Sequence, residues 1–474
     1  GQRDRVSGGA GFARRDSWVP GEEHSVPAIE AKLLATQVEP DAVSSDVLDI
    51  VERCWQTGPL TEADVTRLFN VRGADFSYVV AQADQLREKV NGDTVSYVVN
   101  RNINYTNVCY FKCQFCAFSK GKQSENLRGR PYDITGEDIA GRCSEAWDRG
   151  ATEVCMQGGI HPDYTGQTYL DIVNTVRSAT PEMHIHAFSP LEVWQGAATL
   201  GVSVPNFLRQ LRQAGLNTLP GTAAEILHDE VRANLCPDKL NTEQWLEVMA
   251  ASHAEGMRTT ATIMYGHIDR PRHWARHLMH IRSLQQRTAG FTEFVPLPFV
   301  HMEAPMYLKG KARRGPSFRE AILMHAVARL VFHGLIENIQ ASWVKMGREG
   351  VAACLNAGVN DLGGSLMNES ITRAAGSGHG QEWEPELMEA RIHAAGRQPR
   401  MRTTLYGDAA QERRNALTYE QKAALQHAEW AASTNRNGYL TVPEVFESPV
   451  SYTHSRPHET ILTPVSPPLL PTKQ

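Results

Sequence analysis

Apolar, β-branched runs alternate with helical stretches through the middle of the chain, from about residue 94 to about 378. The runs are TVSYVV, TEVCMQG, MHIHAFS, LNTLPG, RTTATIMYG, FTEFVPLPF, IQASWVKMG and NDLGGSLM. Strands that alternate with helices predict a parallel sheet, because each crossover helix covers one of its faces. Eight such units match a (β/α)8 barrel of the TIM type better than the alternative, an open doubly wound sheet. The expected fold class is therefore α/β, with the chemistry at the C-terminal ends of the strands. Gly150, Gly215, Gly256, Gly290 and Gly334 each end a helical stretch just before a strand. Glycine there suits a left-handed helix cap, since it has no Cβ to clash at positive φ.

The flanks read differently. Residues 1–43 are polar and rich in Gly, Pro and Ser, which predicts a linker or the remnant of an upstream domain. Residues 44–93 carry helical periodicity, and Thr61-x-x-Asp64 has the form of a capping box. Residues 379–435 read as a C-terminal helical extension containing a charged, solvent-facing helix, AQERRNALTYEQKAALQHAEWAAS. Seven prolines then fall between Pro443 and Pro471. That composition buries too little apolar surface to order itself, so 436–474 is expected to be a disordered tail. A first residue other than Met suits a fragment of a fused protein, and equally a processed subunit.

Composition narrows the setting. The 474 residues are 41% hydrophobic, enough for one large core with appendages. A net charge of −5 and a pI near 6.4 give no electrostatic footprint for nucleic acid or an anionic membrane. No run approaches a membrane span, and no secretory signal opens the chain. With 8 cysteines there is no disulfide scaffold, and the expected location is the reducing cytoplasm.

Three of those cysteines crowd together. NVCYFKCQFCAF places Cys109, Cys113 and Cys116 after the first strand, with Phe115 before the last. They could be core residues, or three ligands of a zinc whose fourth lies elsewhere. An iron–sulfur cluster accounts for them better. A 4Fe-4S cube has four irons, and three thiolates leave one open to an outside chelator. MQGGIHP ends the second strand with Gly158 and Gly159, where backbone can approach a ligand with no side chain in the way. Cys54, Cys143, Cys155, Cys236 and Cys354 show no mutual spacing and are expected to be structural. His184 and His186 alternate along the third strand, facing the barrel interior as substrate groups or as satisfied core histidines. His267, Asp269 and Glu225 are polar groups at strand ends, and Glu225 could serve a ligand or a helix dipole.

C-x3-C-x2-C with an aromatic before the last cysteine resembles the motif of the radical S-adenosylmethionine superfamily. NRNINYTNVC, CAFSKGK, ATEVCMQGGIHP, HIHAFSPLEV, PGTAAEIL, TTATIMYGHID, FTEFVPLPFVH, IQASWVKMG and NDLGGSLMNESI carry a narrower resemblance, from about Leu60 to Tyr406. They are similar to 5-amino-6-(D-ribitylamino)uracil–L-tyrosine 4-hydroxyphenyl transferase, the tyrosine-using half of 7,8-didemethyl-8-hydroxy-5-deazariboflavin synthase. The resemblance implies a radical S-adenosylmethionine barrel with a 4Fe-4S cluster held by Cys109, Cys113 and Cys116. It implies that Gly158 and Gly159 help hold S-adenosylmethionine; by their positions, Phe115 next to the last cysteine and Glu225 after a strand are further cofactor-binding candidates. The implied reaction cleaves L-tyrosine and transfers its 4-hydroxybenzyl group to the uracil, toward the deazaflavin chromophore of coenzyme F-420. Only one C-x3-C-x2-C is present, so a second radical domain or subunit is the implied ring-closing partner, beside a reductant protein. Two alternatives remain: an aminofutalosine synthase-like radical enzyme and a non-catalytic iron–sulfur electron carrier.

Overall fold

A computed structural model describes residues 7–119 and 130–416, all within one compact unit, Gly1–Leu417. The expected disordered tail and most of the charged helix lie outside the described residues.

The eight runs close into a ring of parallel pairings. The first strand is bent into β1 (Thr94–Val98) and β2 (Asn100–Asn104). β2 pairs with β3 (Glu153–Gln157), which pairs with β4 (His184–Ala187). His186 bridges to Thr218, and Leu219 bridges to Thr259 at the start of β5 (Thr259–Tyr265). β5 pairs with β6 (Phe291–Pro298), Phe294 bridges to Ile339, and Gln340 bridges to Asp361 of β7 (Asp361–Gly364). β7 returns to β1, and the ring is closed. The LNTLPG and IQASWVKMG runs contribute only bridges, because each turns away after two or three extended residues.

Alternation along β3 shows how the ring is filled. Val154 and Met156 face the helices and are fully buried, while Glu153, Cys155 and Gln157 face inward. Cys155, Gln157 and Asn102 keep accessible surface although they line the interior. A barrel interior is normally packed solid with branched apolar side chains. Here its upper half is polar and open.

Three expectations need correction. Residues 7–43 do not hang free as a linker. Trp18 is 1% exposed and meets the Phe318 ring edge-on at 5.3 Å, and the Gly21 N–H donates to the Lys345 carbonyl at 2.8 Å. Single apolar residues in a polar stretch produce no periodicity, which is why sequence pattern missed them. Residues 379–416 are also not simply helical. A helix at Pro385–Ala394 is followed by β8 (Gln398–Met401), which pairs in parallel with the lower part of β1. Arg402 then enters the barrel floor, donating to Asp361 (Nε–Oδ2 2.5 Å) and Glu293 (Nη2–Oε2 3.4 Å). Finally, Gly150, Gly215, Gly256 and Gly334 adopt positive φ as expected, but Gly290 does not, and Ala289 takes the left-handed position instead (φ 51°). A Cβ at Gly290 would land in the His253 ring, so close approach explains that glycine.

The N-terminal helices Ser45–Trp55, Glu62–Phe69 and Gly73–Asn91 pack against the helix Phe318–Val331. Thr61 and Asp64 form the reciprocal capping box.

Candidate active site

Backbone strain points to one end of the barrel. Five of the eight non-glycine residues with positive φ among the described residues, Phe188, Ala223, Glu225, Leu366 and Asn368, follow strands at their C-terminal ends. Such strain persists where surrounding structure enforces it, and it concentrates at functional sites.

The cysteine loop lies at this end, after β2. Tyr110 N–H donates to the Ile160 carbonyl (3.1 Å) and Gln114 N–H to the Leu235 carbonyl (3.0 Å). Cys109 and Cys113 pack on Phe111, Ile160, Leu191 and Leu240, and Cys113 and Phe115 also pack on Cys236, Met264 and Phe299. Burial pushes the Cys113 thiol up to about 12, against the pull of Lys239; Cys116 and Cys236 add to the rise. Burial raises Cys116 as well, and the charge of Cys109 contributes. The loop therefore brings its thiols within electrostatic reach, together with Cys236, a neighbour that sequence spacing did not reveal.

This donor set fits an iron–sulfur cluster. It offers soft sulfur ligands, and buried thiols give up their protons when a cationic centre replaces them. A structural zinc site takes four protein ligands, and the loop offers three thiolates.

The glycine pair after β3 serves this loop directly. A Cβ on Gly158 would collide with the Tyr105 ring, and one on Gly159 would stand 2.7 Å from the Val108 carbonyl carbon and 2.9 Å from Cys109 Cβ. The space that side chains would take is filled by protein, so the missing side chains let the turn lie against the cysteine loop. Gly159 N–H also donates to the Thr106 carbonyl (2.8 Å).

Glu225 is buried in a left-handed conformation and pairs with Lys239 (3.0 Å), whose ammonium lies 5.1 Å from the Phe115 ring centre. The next helix begins only at Asp229, so Glu225 does not serve a helix dipole. His184 and His186 both hydrogen-bond Thr218 Oγ1 (2.8 and 2.7 Å) and sit toward the floor near Glu153. Burial lowers both, His184 to about 4, and they are satisfied core histidines. His267 and Asp269 close their own turn: His267 Nε2 bonds the Met264 carbonyl (3.0 Å), and Asp269 accepts from the Gly266 and His267 N–H groups. Neither belongs to the site.

Sequence reasoning missed Glu192, Lys239, Lys345 and Glu369. Glu192 is 1% exposed and accepts from Tyr105 Oη, Gly158 N–H (3.2 Å) and Ser189 N–H (2.6 Å). Burial raises it to about 8. In the sequence it reads as the third position of a Ser189 capping box, a role it also fills.

The comparisons with known proteins agree with this geometry. Residues 103–280 match the Radical SAM superfamily, and residues 288–414 match the CofH/MqnC C-terminal region. An FO synthase of Streptomyces avermitilis is 49% identical over 357 residues, covering 75% of this chain and 41% of that protein. The chain thus spans about two-fifths of the length of the FO synthases it matches. The 5-amino-6-(D-ribitylamino)uracil–L-tyrosine 4-hydroxyphenyl transferase of Methanopyrus kandleri is 49% identical over 328 residues, covering 69% of this chain and 88% of that one. The crystal structure of methylornithine synthase shares the fold, with a TM-score of 0.58 at 17% identity, covering 74% of this chain and 97% of that one. The chain therefore belongs to the radical SAM superfamily, whose members use a 4Fe-4S cluster and S-adenosylmethionine, and within it to the family of the FO synthases and this tyrosine 4-hydroxyphenyl transferase.

Proposed function

We propose that the protein cleaves the Cα–Cβ bond of L-tyrosine and joins the 4-hydroxybenzyl fragment to 5-amino-6-(D-ribitylamino)uracil. The observation that carries this reading is the match to the Methanopyrus transferase, which runs through nearly the whole of that protein at 49% identity. When bound, the reduced cluster and S-adenosylmethionine supply the 5′-deoxyadenosyl radical that starts the chemistry.

The chain's own groups supply placement. Cys109, Cys113 and Cys116 would hold the cluster. Gly158 and Gly159 set the turn after β3 against Tyr105 and the cysteine loop, and their backbone, with Phe115 and Glu225, would hold S-adenosylmethionine. Lys239 places a positive charge beside Cys113 and Phe115, where thiolate and cluster charge accumulates. The outward faces of the strands, with Ile103, Val154, Met156 and Ile185 fully buried, seal the interior against water. The open, polar upper barrel, lined by Asn102, Cys155 and Gln157, is the room for substrate.

A second radical SAM domain or subunit closes the deazaflavin ring, and a reductant protein delivers the electron. No described helix is long and apolar enough to cross a membrane. Eight free cysteines suit the reducing cytoplasm, which we take as the location. Anaerobic incubation with tyrosine, the ribitylaminouracil, S-adenosylmethionine and dithionite tests the reading by mass spectrometry. It predicts 5′-deoxyadenosine and a 4-hydroxybenzyl–uracil adduct, with fluorescent deazaflavin only after the partner is added. Consumption of an enolpyruvyl substrate with tyrosine untouched would instead assign an aminofutalosine synthase-like activity.

A further inference from the structure

At the mouth of the barrel two opposite charges face each other without pairing. Glu369 follows β7, just beyond Leu366 and Asn368, which both hold left-handed backbone (φ 59° and 64°). It is 4% exposed. Its Oε1 accepts from Thr372 N–H (2.9 Å), while its Oε2 is buried with no hydrogen-bond partner among the described residues. Lys345 lies on the neighbouring element, before the break at Gly347 in the helix Trp343–Cys354, and its Nζ donates to Thr372 Oγ1 (3.3 Å). Burial lowers the Lys345 ammonium, and the charges of Glu369 and then Glu225 oppose that shift. The two groups thus share one environment, yet among the described residues no ion pair within 4.0 Å joins them.

Both follow strands at their C-terminal ends, the end of the barrel that carries the cysteine loop. Glu369 acts electrostatically on Cys155, which points inward from β3 across the barrel. Lys345 acts with Glu225, which pairs with Lys239 beside Phe115 and Cys113. An orphaned carboxylate oxygen and an ammonium that share Thr372 as a partner, at the barrel end that carries the cysteine loop, call for a ligand that carries both charges. An α-amino acid zwitterion has that form.

We propose that Lys345 binds the α-carboxylate and Glu369 the α-ammonium of the amino-acid substrate, an assignment that rests on the tyrosine-cleaving reading above. Thr372 ties the two together, holding the Glu369 carboxylate through its N–H and Lys345 through its hydroxyl. The uracil substrate carries no such pair of charges.

Ligand truncation against side-chain truncation provides the test. Isothermal titration is run on the reconstituted full chain with S-adenosylmethionine and no reductant, so nothing turns over. The probes are L-tyrosine, tyramine (no carboxylate) and 3-(4-hydroxyphenyl)propionate (no ammonium). The native protein should prefer tyrosine over each analogue by on the order of 10- to 100-fold, the range of one charge-assisted hydrogen bond. In Lys345→Met the preference over tyramine should vanish while that over the propionate persists. In Glu369→Gln, which is isosteric and keeps the Thr372 contact, the reverse should hold, and Lys345→Arg should retain both preferences. Iron content and S-adenosylmethionine binding should stay at native levels in all three. Uniform weakening of all three ligands, intact preferences in both variants, or weakening of the ribitylaminouracil instead would overturn the assignment. If the native protein binds no tyrosine, the tyrosine-cleaving reading falls and this one with it. Should Lys345→Met fail to fold, the Glu369→Gln pattern decides alone.

Discussion

Replacing Gly159 by alanine tests whether the turn after β3 sets the cysteine loop. The added Cβ would stand 2.7 Å from the Val108 carbonyl carbon and 2.9 Å from Cys109 Cβ. Non-bonded carbons prefer about 3.5–4.0 Å, so the two segments must part by about 1 Å. The obstacle is backbone rather than a flexible side-chain tip, and overpacking of this kind costs about 1–3 kcal/mol. The loop relieves that strain by moving, and Cys109 moves with it, whereas a working site holds its groups to within about 0.5 Å. Gly141→Ala is the control: Gly141 is exposed within the helix Gly136–Asp148, with nothing within 4 Å of a Cβ. There alanine should stabilise by up to about 1 kcal/mol through helix propensity. Each variant is reconstituted anaerobically, then assayed for iron, sulfide and the shift in the cluster's paramagnetic resonance on adding S-adenosylmethionine. Thermal melting of the metal-free protein is measured alongside. Gly159→Ala should melt a few degrees lower and lose most of its cluster, and Gly141→Ala should keep it. A Gly159→Ala protein with native iron content and a native shift would refute the packing argument.

Alanine at Cys109, Cys113 or Cys116 should each abolish the 4Fe-4S spectrum or its response to S-adenosylmethionine, while Cys143→Ala and Cys354→Ala should leave it intact; the reverse pattern would reassign the ligands. Arg402→Met leaves Asp361 (0% exposed) and Glu293 (8% exposed) without their cation at the barrel floor, and should destabilise by about 3–5 kcal/mol in urea titration. A loss below about 1 kcal/mol would show that the floor tolerates unpaired carboxylates. Glu192 titrates near 8 in the folded chain against 4.5 when unfolded, so the folded state binds its proton more tightly. Its contribution is therefore complete below pH 4.5 and is lost as pH rises toward 8, and Glu192→Gln should flatten that part of the stability profile. An unchanged profile in the variant would place the titration elsewhere.

Much of the barrel could be read from sequence because its strands are apolar runs separated by amphipathic helices, a pattern that survives without knowledge of partners. Closure could not, since it depends on single bridges such as His186 to Thr218 and Phe294 to Ile339. β8 and Arg402 were invisible for a related reason. QPRM carries no apolar alternation, and the strand exists because β1 offers it an edge and Asp361 offers its following arginine a charge. In the site, the cysteine loop was legible because its three residues are close in sequence. Lys239, Lys345 and Glu369 were not, because each is a lone charged residue, in a loop or at the start of a helix, with no spacing that marks it. The glycine pair stood out in the sequence as a place where backbone could approach a ligand; in the fold, Tyr105 and the cysteine loop occupy the space their side chains would need.

Tyrosine labelled with 13C at Cβ puts the proposed bond cleavage to the most direct test. The reconstituted protein is given this substrate with the ribitylaminouracil, S-adenosylmethionine and reductant, and both organic products are weighed by mass spectrometry. Cleavage between Cα and Cβ predicts an adduct one mass unit heavier and an unlabelled two-carbon imino acid. Label retained in the amino-acid fragment, or tyrosine recovered intact beside freshly formed 5′-deoxyadenosine, would contradict it.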